Sequence, residues 1–230
     1  RSTTAVRVST SRSQTASSLN ARLFLIRGLV ADISNNPNIT EAEFAATARI
    51  LLAQQTGIRN ITIVKGTTIA YMYPPDGNQK AIKVDLTALP EQRKMVEDVI
   101  STRKTLVAGP VKLLEGGVAF VSRSPIFLTP PDAEPETGVY WGLIGVILDK
   151  NSLMEEAGLN DTSANLQYAV RGKDGKGAIG DVFFGDKSIF QKSPVVLEIT
   201  LPNGSWQLAA IPAGGWQKNS PLRGWLLFGG

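Results

Sequence analysis

From Ala16 onward, apolar side chains recur at Leu19, Leu23, Ile26, Val30 and Ile33, in alternating steps of three and four. That spacing is a heptad seam, the mark of a helix laid along a partner. Phe24, Leu25 and Leu29 widen the stripe, so the helix is expected to pack on its own domain and to pair with a second copy. Asn35-Asn36-Pro37-Asn38 stops it. Residues 1–18 are rich in Ser and Thr, and Val6 and Val8 are their only large apolar residues. Thr40 and Glu43 then form a capping box, opening a second helix that runs through Phe44, Ala48, Leu51 and Leu52 to Gly57. Beyond it the period falls to two. Ile61 and Ile63 flank Thr62, Lys65-Gly66 turns the chain, and 67–73 returns as the second arm of a hairpin.

The loop Pro74-Pro75-Asp76-Gly77-Asn78 leads to a short strand expected at Ile82-Lys83-Val84. Pro90 opens a helix to about Lys104, with Met95, Val99 and Ile100 facing inward. A second hairpin pairs 111–115 with 118–122 around Gly116-Gly117, and Ile126-Phe127-Leu128 continues it past Pro125. An acidic, Pro-rich loop at 129–138 precedes an apolar strand from Trp141 to Leu148. A short helix at Leu153–Ala157 is followed by strands at 167–171, 182–185, 195–201 and 205–211. Helices interleaved with antiparallel hairpins indicate an α+β fold and not a doubly wound parallel sheet. The chain divides into helices at 1–57, a first sheet unit at 58–150, a smaller one at 151–220 and an apolar tail at 221–230. No run of about 18 apolar residues is present, the length a membrane span needs. The tail from Arg223 through Gly224-Trp225-Leu226-Leu227-Phe228 reads as the edge of a membrane span or as a frayed strand.

Composition narrows the chemistry. The chain has no histidine and no cysteine, which removes the commonest general base, the commonest zinc ligand and thiolate chemistry. No metal or cofactor motif appears. The glycine-rich stretches at 116–117 and 172–177 lack phosphate-loop spacing, and Asp174, Asp181 and Asp186 lack that of a calcium loop. The net charge of +4 is concentrated early, since Arg1, Arg7, Arg12, Arg22 and Arg27 precede the first acid, Asp32. A basic leader suits a solvated helix face or a membrane surface. No aromatic residues interleave with it, so nucleic acid is not expected as a partner.

What remains is a set suited to holding a small molecule. Asp85, ending a short strand, can accept hydrogen bonds from an amine or hydroxyl, or can cap the next turn. Arg123 on an inner strand can clamp a carboxylate or phosphate bidentately, or pair with Asp85 or Glu115. Tyr71 and Tyr73 share one strand face and can wall a pocket or sit half-exposed on the sheet, with Met72 on the other face as an expected core residue. Trp141 can line a pocket mouth or cover a sheet edge, and Pro125 beside Arg123 can serve as a wall or as core.

The order N-x-x-x-I-x-V-D-L at 78–86, P-E-Q-R at 90–93, G-P at 109–110, Gly116-Gly117, R-S-P-I-F at 123–127 and G-L-I-G-V-I-L-D at 142–149 resembles the CHASE domain family. The resemblance covers about residues 20–216. It departs at Val84, where family members often carry glycine before the aspartate. It implies a long stalk helix followed by two tandem PAS-like antiparallel sheets, the membrane-distal one holding the ligand. It also implies a periplasmic or extracellular sensor domain between two membrane spans, whose cytoplasmic end carries a kinase or cyclase. The expected function is therefore small-molecule sensing coupled to stalk-helix rearrangement in a homodimer, with no catalytic activity in this chain and no cofactor. A carboxylate-dependent periplasmic enzyme and an adhesion or partner-binding module are the rival readings.

Overall fold

The computed structural model describes residues 2–113, 117–134 and 136–216. The expected Gly116-Gly117 turn is thus described only at Gly117, and Glu115, Arg1 and the 221–230 tail lie outside the described residues. Helix α1 spans Ser2–Asn35 and α2 spans Glu41–Gln54. Strands β1 (Ile58–Lys65) and β2 (Thr68–Tyr73) form the first hairpin. Helix α3 (Pro90–Thr102) precedes β3 (Leu106–Lys112), β4 (Val118–Leu128) and β5 (Val139–Asp149). Helix α4 (Lys150–Glu156) then leads to β6 (Leu166–Arg171), β7 (Val182–Phe184), β8 (Val195–Leu201) and β9 (Gly204–Pro212). The first five strands make one antiparallel sheet in the order β2-β1-β5-β4-β3, and the last four make a second, β7-β6-β9-β8. The fold is α+β with a long N-terminal helix and two antiparallel sheets, as expected.

Helix α1 begins well before the heptad pattern. Its buried stripe starts at Thr4, Val8, Ser11 and Thr15 and continues through Leu19, Arg22, Ile26, Leu29 and Ile33. The first turns pack close to the second sheet, where small side chains fit, so the seam there is polar and small and leaves no apolar period to read. Ser11 donates a 3.2 Å hydrogen bond to the Tyr168 hydroxyl, and Thr15 donates to the Ser11 carbonyl at 2.8 Å. The heptad expectation needs correction in another respect. Leu19, Leu23, Ile26 and Ile33 are buried in the chain's own core, which also contains Ile61, Ile144, Trp206 and Leu208. That seam is closed to a second copy.

Rings join the sheets. Phe120 of β4, Phe183 of β7 and Trp206 of β9 meet with centroids 4.7–5.4 Å apart. Asp174, in the turn after β6, accepts a 2.7 Å hydrogen bond from the Gly109 N–H on β3. Helix α2 begins as expected, with Thr40 and Glu43 capping each other's backbone donors. Among the described residues, no helix is long and apolar enough to cross a membrane.

Candidate ligand site

The segment from Gly77 to Leu89 builds one wall of the site. It was expected to hold a strand at 82–84. Instead it is two short helical turns, Gln79–Ala81 and Leu86–Ala88, tied to β2 by a single bridge between Thr68 and Asp85. The difference has a local cause. Gly77 (φ +80°) and Lys83 (φ +68°) take left-handed backbone, and the chain coils at both places. The segment is pinned to the sheet edge by Ile69 N–H to Val84 O (2.9 Å), Lys83 N–H to Ile69 O (2.8 Å) and Leu86 N–H to Thr67 O (2.9 Å). The Asn78 amide donates to the Pro74 carbonyl at 2.9 Å and closes the loop.

Between this segment and the first sheet lies a cavity of about 680 Å³, within the range of small-molecule pockets. The sheet contributes Asn60, Thr62 and Val64 from β1, Ile69 and Met72 from β2, Val121 and Arg123 from β4, and Gly145 and Ile147 from β5. The covering segment contributes Gly77–Ala81, Val84, Leu86 and Leu89. Most of the walls are apolar. Among the described residues the only charged lining groups are Lys80 and Arg123, and no aspartate or glutamate lines the space.

Arg123 is 5% exposed. Its Nη2 donates to Gln92 Oε1 at 2.6 Å and its Nη1 to Met95 Sδ at 3.0 Å, both on α3. The ion pairs among the described residues are Arg22–Glu156, Arg59–Asp149 and Lys94–Asp98, so none of those carboxylates neutralises Arg123. Burial pulls its pKa down to about 10, which still leaves it charged at neutral pH. Asn60 shares the cavity. It is 5% exposed, and its Oδ1 is buried with no hydrogen-bond partner. A buried cation without a counter-charge and an orphaned acceptor are both costly unless a further polar partner meets them.

Gly145 makes room beside them. It pairs with Arg123 on one side and with Thr62 on the other. A Cβ added there would meet Thr62 Cβ at 3.6 Å, an ordinary contact, so the backbone does not require glycine. What the missing side chain provides is space on the cavity floor. Gly142 is different, because a Cβ there would run into the Val64 carbonyl oxygen.

Of the six residues singled out from sequence, the structure brings only Arg123 into this cavity. Asp85 is exposed and caps the Leu86–Ala88 turn, accepting from Thr87 N–H (2.9 Å) and Thr87 Oγ1 (2.8 Å). Those bonds hold its pKa below the usual carboxylate value. Tyr71, Tyr73 and Trp141 pack toward the core on the opposite sheet face. The Tyr71 ring stacks on Phe44 of α2 at 6.2 Å, and Lys65 Nζ lies 4.8 Å from the Tyr71 ring centroid and 5.9 Å from that of Trp141. Met72, the alternate residue, lines the cavity instead. Pro125 lines a separate depression with Arg27, Val30 and Phe127. The lining residues not singled out from sequence include Asn60, Thr62, Lys80 and Gly145. Three had a signal: Asn60 and Thr62 are polar positions at period two within Ile58–Val64, and Gly145 interrupts an apolar strand.

A broader cleft of about 870 Å³ lies around β7. It mixes Lys150, Arg171, Lys173 and Lys187 with Asp181 and Asp186. Lys150 already donates to the Phe183 carbonyl at 3.1 Å, and Arg171 to Gln207 Oε1 at 2.7 Å. Its charges are open to solvent and of both signs, so it makes no comparable demand for a ligand.

The family profile named CHASE domain matches residues 36–184, a span that includes every residue lining the cavity. No curated protein matches the sequence. Solved structures of similar fold include an extracellular ligand binding receptor from Desulfohalobium retbaense, with TM-score 0.59 and 16% identity over 87% of this chain. This chain spans 39% of that receptor's length. The ligand-binding domain of the Pseudomonas aeruginosa amino acid chemoreceptor PctC, solved with GABA, gives TM-score 0.61 and 13% identity over 87% of this chain and 94% of that one. The sensory domain of the Campylobacter jejuni chemoreceptor Tlp3 gives 0.61 and 11%, covering 92% of both chains.

Proposed function

Since the chain belongs to the CHASE domain family, we propose that it is the extracytoplasmic input domain of a membrane receptor, and that the cavity beside Arg123 holds the sensed small molecule. The observation that carries this reading is a buried guanidinium with no carboxylate partner among the described ion pairs, facing a partly open cavity of ligand size. The likeness in fold to chemoreceptor ligand-binding domains supports it. A carboxylate-dependent hydrolase would need two facing acids, and among the described residues no acid lines this cavity.

In this reading residues 58–150 are the ligand-binding unit, and the output is a cytoplasmic kinase or cyclase beyond a membrane span. The path to the stalk helix is short. Strand β5 lines the cavity at Gly145 and Ile147 and ends at Asp149, which accepts from Ser152 N–H at 2.8 Å and caps α4. Helix α4 ends at Glu156, whose Oε1 takes a 2.7 Å bond from Arg22 Nη2 on α1. A ligand that favours one arrangement of β5 therefore biases α1 through α4. A homodimer through α1 would use its outward face, where Phe24 is 72% exposed.

The test is a thermal-shift screen of small metabolites on the wild type and on Gly145→Val. Valine suits a strand and its Cβ has room, so the variant is expected to melt at or above the wild-type temperature. Its outer methyls fill the floor of the cavity, so compounds that raise the wild-type melting temperature should no longer do so. Compounds that stabilise both proteins equally would place the site elsewhere.

A further inference from the structure

The charge and hydrogen-bonding pattern of this cavity restricts what it accepts. We infer that the ligand is a small organic anion, a monocarboxylate with an apolar body, whose carboxylate is met by Arg123 and whose hydrogen-bond donor, where it has one, is met by Asn60. The inference rests on the reading of this cavity as the ligand site. Five N–H groups project from a guanidinium, and the bonds to Gln92 and Met95 leave others free for a carboxylate. Gln92 and Met95 also fix the orientation of the fork, so the ligand meets a prepared donor. Lys80 adds a second positive charge on the covering segment. Around these polar groups the walls are Val64, Ile69, Met72, Val84, Leu86 and Ile147, which suit an aliphatic or aryl body.

The same lining disfavours an ammonium group. Among the described residues no aspartate or glutamate lines the cavity, and Asp85, between the lining residues Val84 and Leu86, is exposed and engaged by Thr87. The ammonium of an amino acid would enter a space whose charged side chains are both cationic. In this respect the chain is expected to differ from the amino acid chemoreceptors that share its fold.

Isothermal titration with matched probes tests this. Isovalerate, hexanoate and phenylacetate are each compared with their amides and with valine, norleucine and phenylglycine, on wild type, Arg123→Gln, Asn60→Asp and Gly145→Val. At least one carboxylate is expected to bind wild type, with its amide and its amino acid weaker by roughly 10- to 100-fold, the range of a charge-assisted hydrogen bond. Arg123→Gln should lose a similar factor. Asn60→Asp, which places a negative charge in the cavity, should also weaken carboxylates while retaining the fold. Amides or amino acids that bind as tightly as the acids, and are lost in Gly145→Val, would overturn the anion class and leave the cavity as the site. Carboxylates that bind Gly145→Val as they bind wild type would overturn the cavity reading itself. A panel in which no carboxylate binds at millimolar concentration overturns the inference.

Discussion

Replacing Arg22 by alanine is expected to destabilise the chain by about 3 kcal/mol, which for a chain of this length lowers the melting temperature by roughly 6–12 °C. Arg22 is 2% exposed, the most buried ionised side chain among the described ion pairs. It sits on α1 and fastens that helix to the end of α2 and to α4. Its Nε and Nη2 donate to the Thr56 carbonyl just past α2 at 3.0 and 2.6 Å, its Nη2 reaches Glu156 of α4, and its Nη1 holds the Ser18 carbonyl at 2.8 Å. Alanine would leave the Thr56 carbonyl without its donors and Glu156 without its counter-charge. The carboxylate side chain is 36% exposed, so water recovers part of the loss, and the lower end of the range for a broken buried pair applies.

A pH profile separates this clamp from simple loss of packing. Burial alone would raise the Glu156 pKa, but hydrogen bonds from Arg22, Ser18 and Thr56 outweigh it and hold the group at about 2 against an ordinary 4.5. A folded pKa below the unfolded one contributes stability that is full above about pH 5 and disappears as the pH falls toward 2. In Arg22→Ala that acid-side decline should flatten, because Glu156 then titrates nearer its ordinary value. Urea denaturation of both proteins between pH 6 and 3 measures it, and parallel profiles would show that Glu156 is not held by Arg22.

Arg123→Met is expected to move stability the other way while removing ligand binding. The fall in the Arg123 pKa from 12.5 to about 10 corresponds to a burial cost on the order of 3 kcal/mol for the charged form. Methionine has similar length and suits the neighbouring Met95 and apolar walls. The unliganded variant should gain about 1–3 kcal/mol in unfolding free energy, as replacements of buried ions by apolar groups often do. Its affinity for any cavity ligand that carries a carboxylate should fall below detection in the same titration. Gain of stability with loss of binding is the signature of a strained functional group. A destabilised variant with unchanged ligand affinity would make Arg123 a structural residue.

These two arginines also show how far the sequence could be read. Thr40-Glu43 capping, the hairpin at Lys65-Gly66 and the four strands after residue 166 follow from signals that act within a few residues. Arg123 stood out because a charged residue interrupts an apolar strand. Arg22 was lost inside the basic leader, since its partners Thr56 and Glu156 lie far along the chain. The sheet face is hard to choose from sequence for a similar reason. Both faces of the first sheet are covered, by α1 and α2 on one side and by residues 77–102 on the other, so β2 carries no alternation of apolar and polar positions. Tyr71 and Tyr73 therefore read as suited to a pocket and Met72 to the core, the reverse of their placement around this cavity. Asp85 takes the second of its two expected roles, the turn cap; a carboxylate that caps a turn and one that holds a ligand read alike until Thr87 is seen beneath it.

Hydrogen exchange on the intact chain, with and without a saturating carboxylate ligand, measures where the molecule is held. Protection is expected to concentrate in residues 77–89 and in the facing strands β1 and β5, with a smaller effect in α4, where β5 hands over to Arg22. Protection confined to residues 171–187, around the broader cleft, with none at 77–89, would contradict the placement of the sensed molecule beside Arg123.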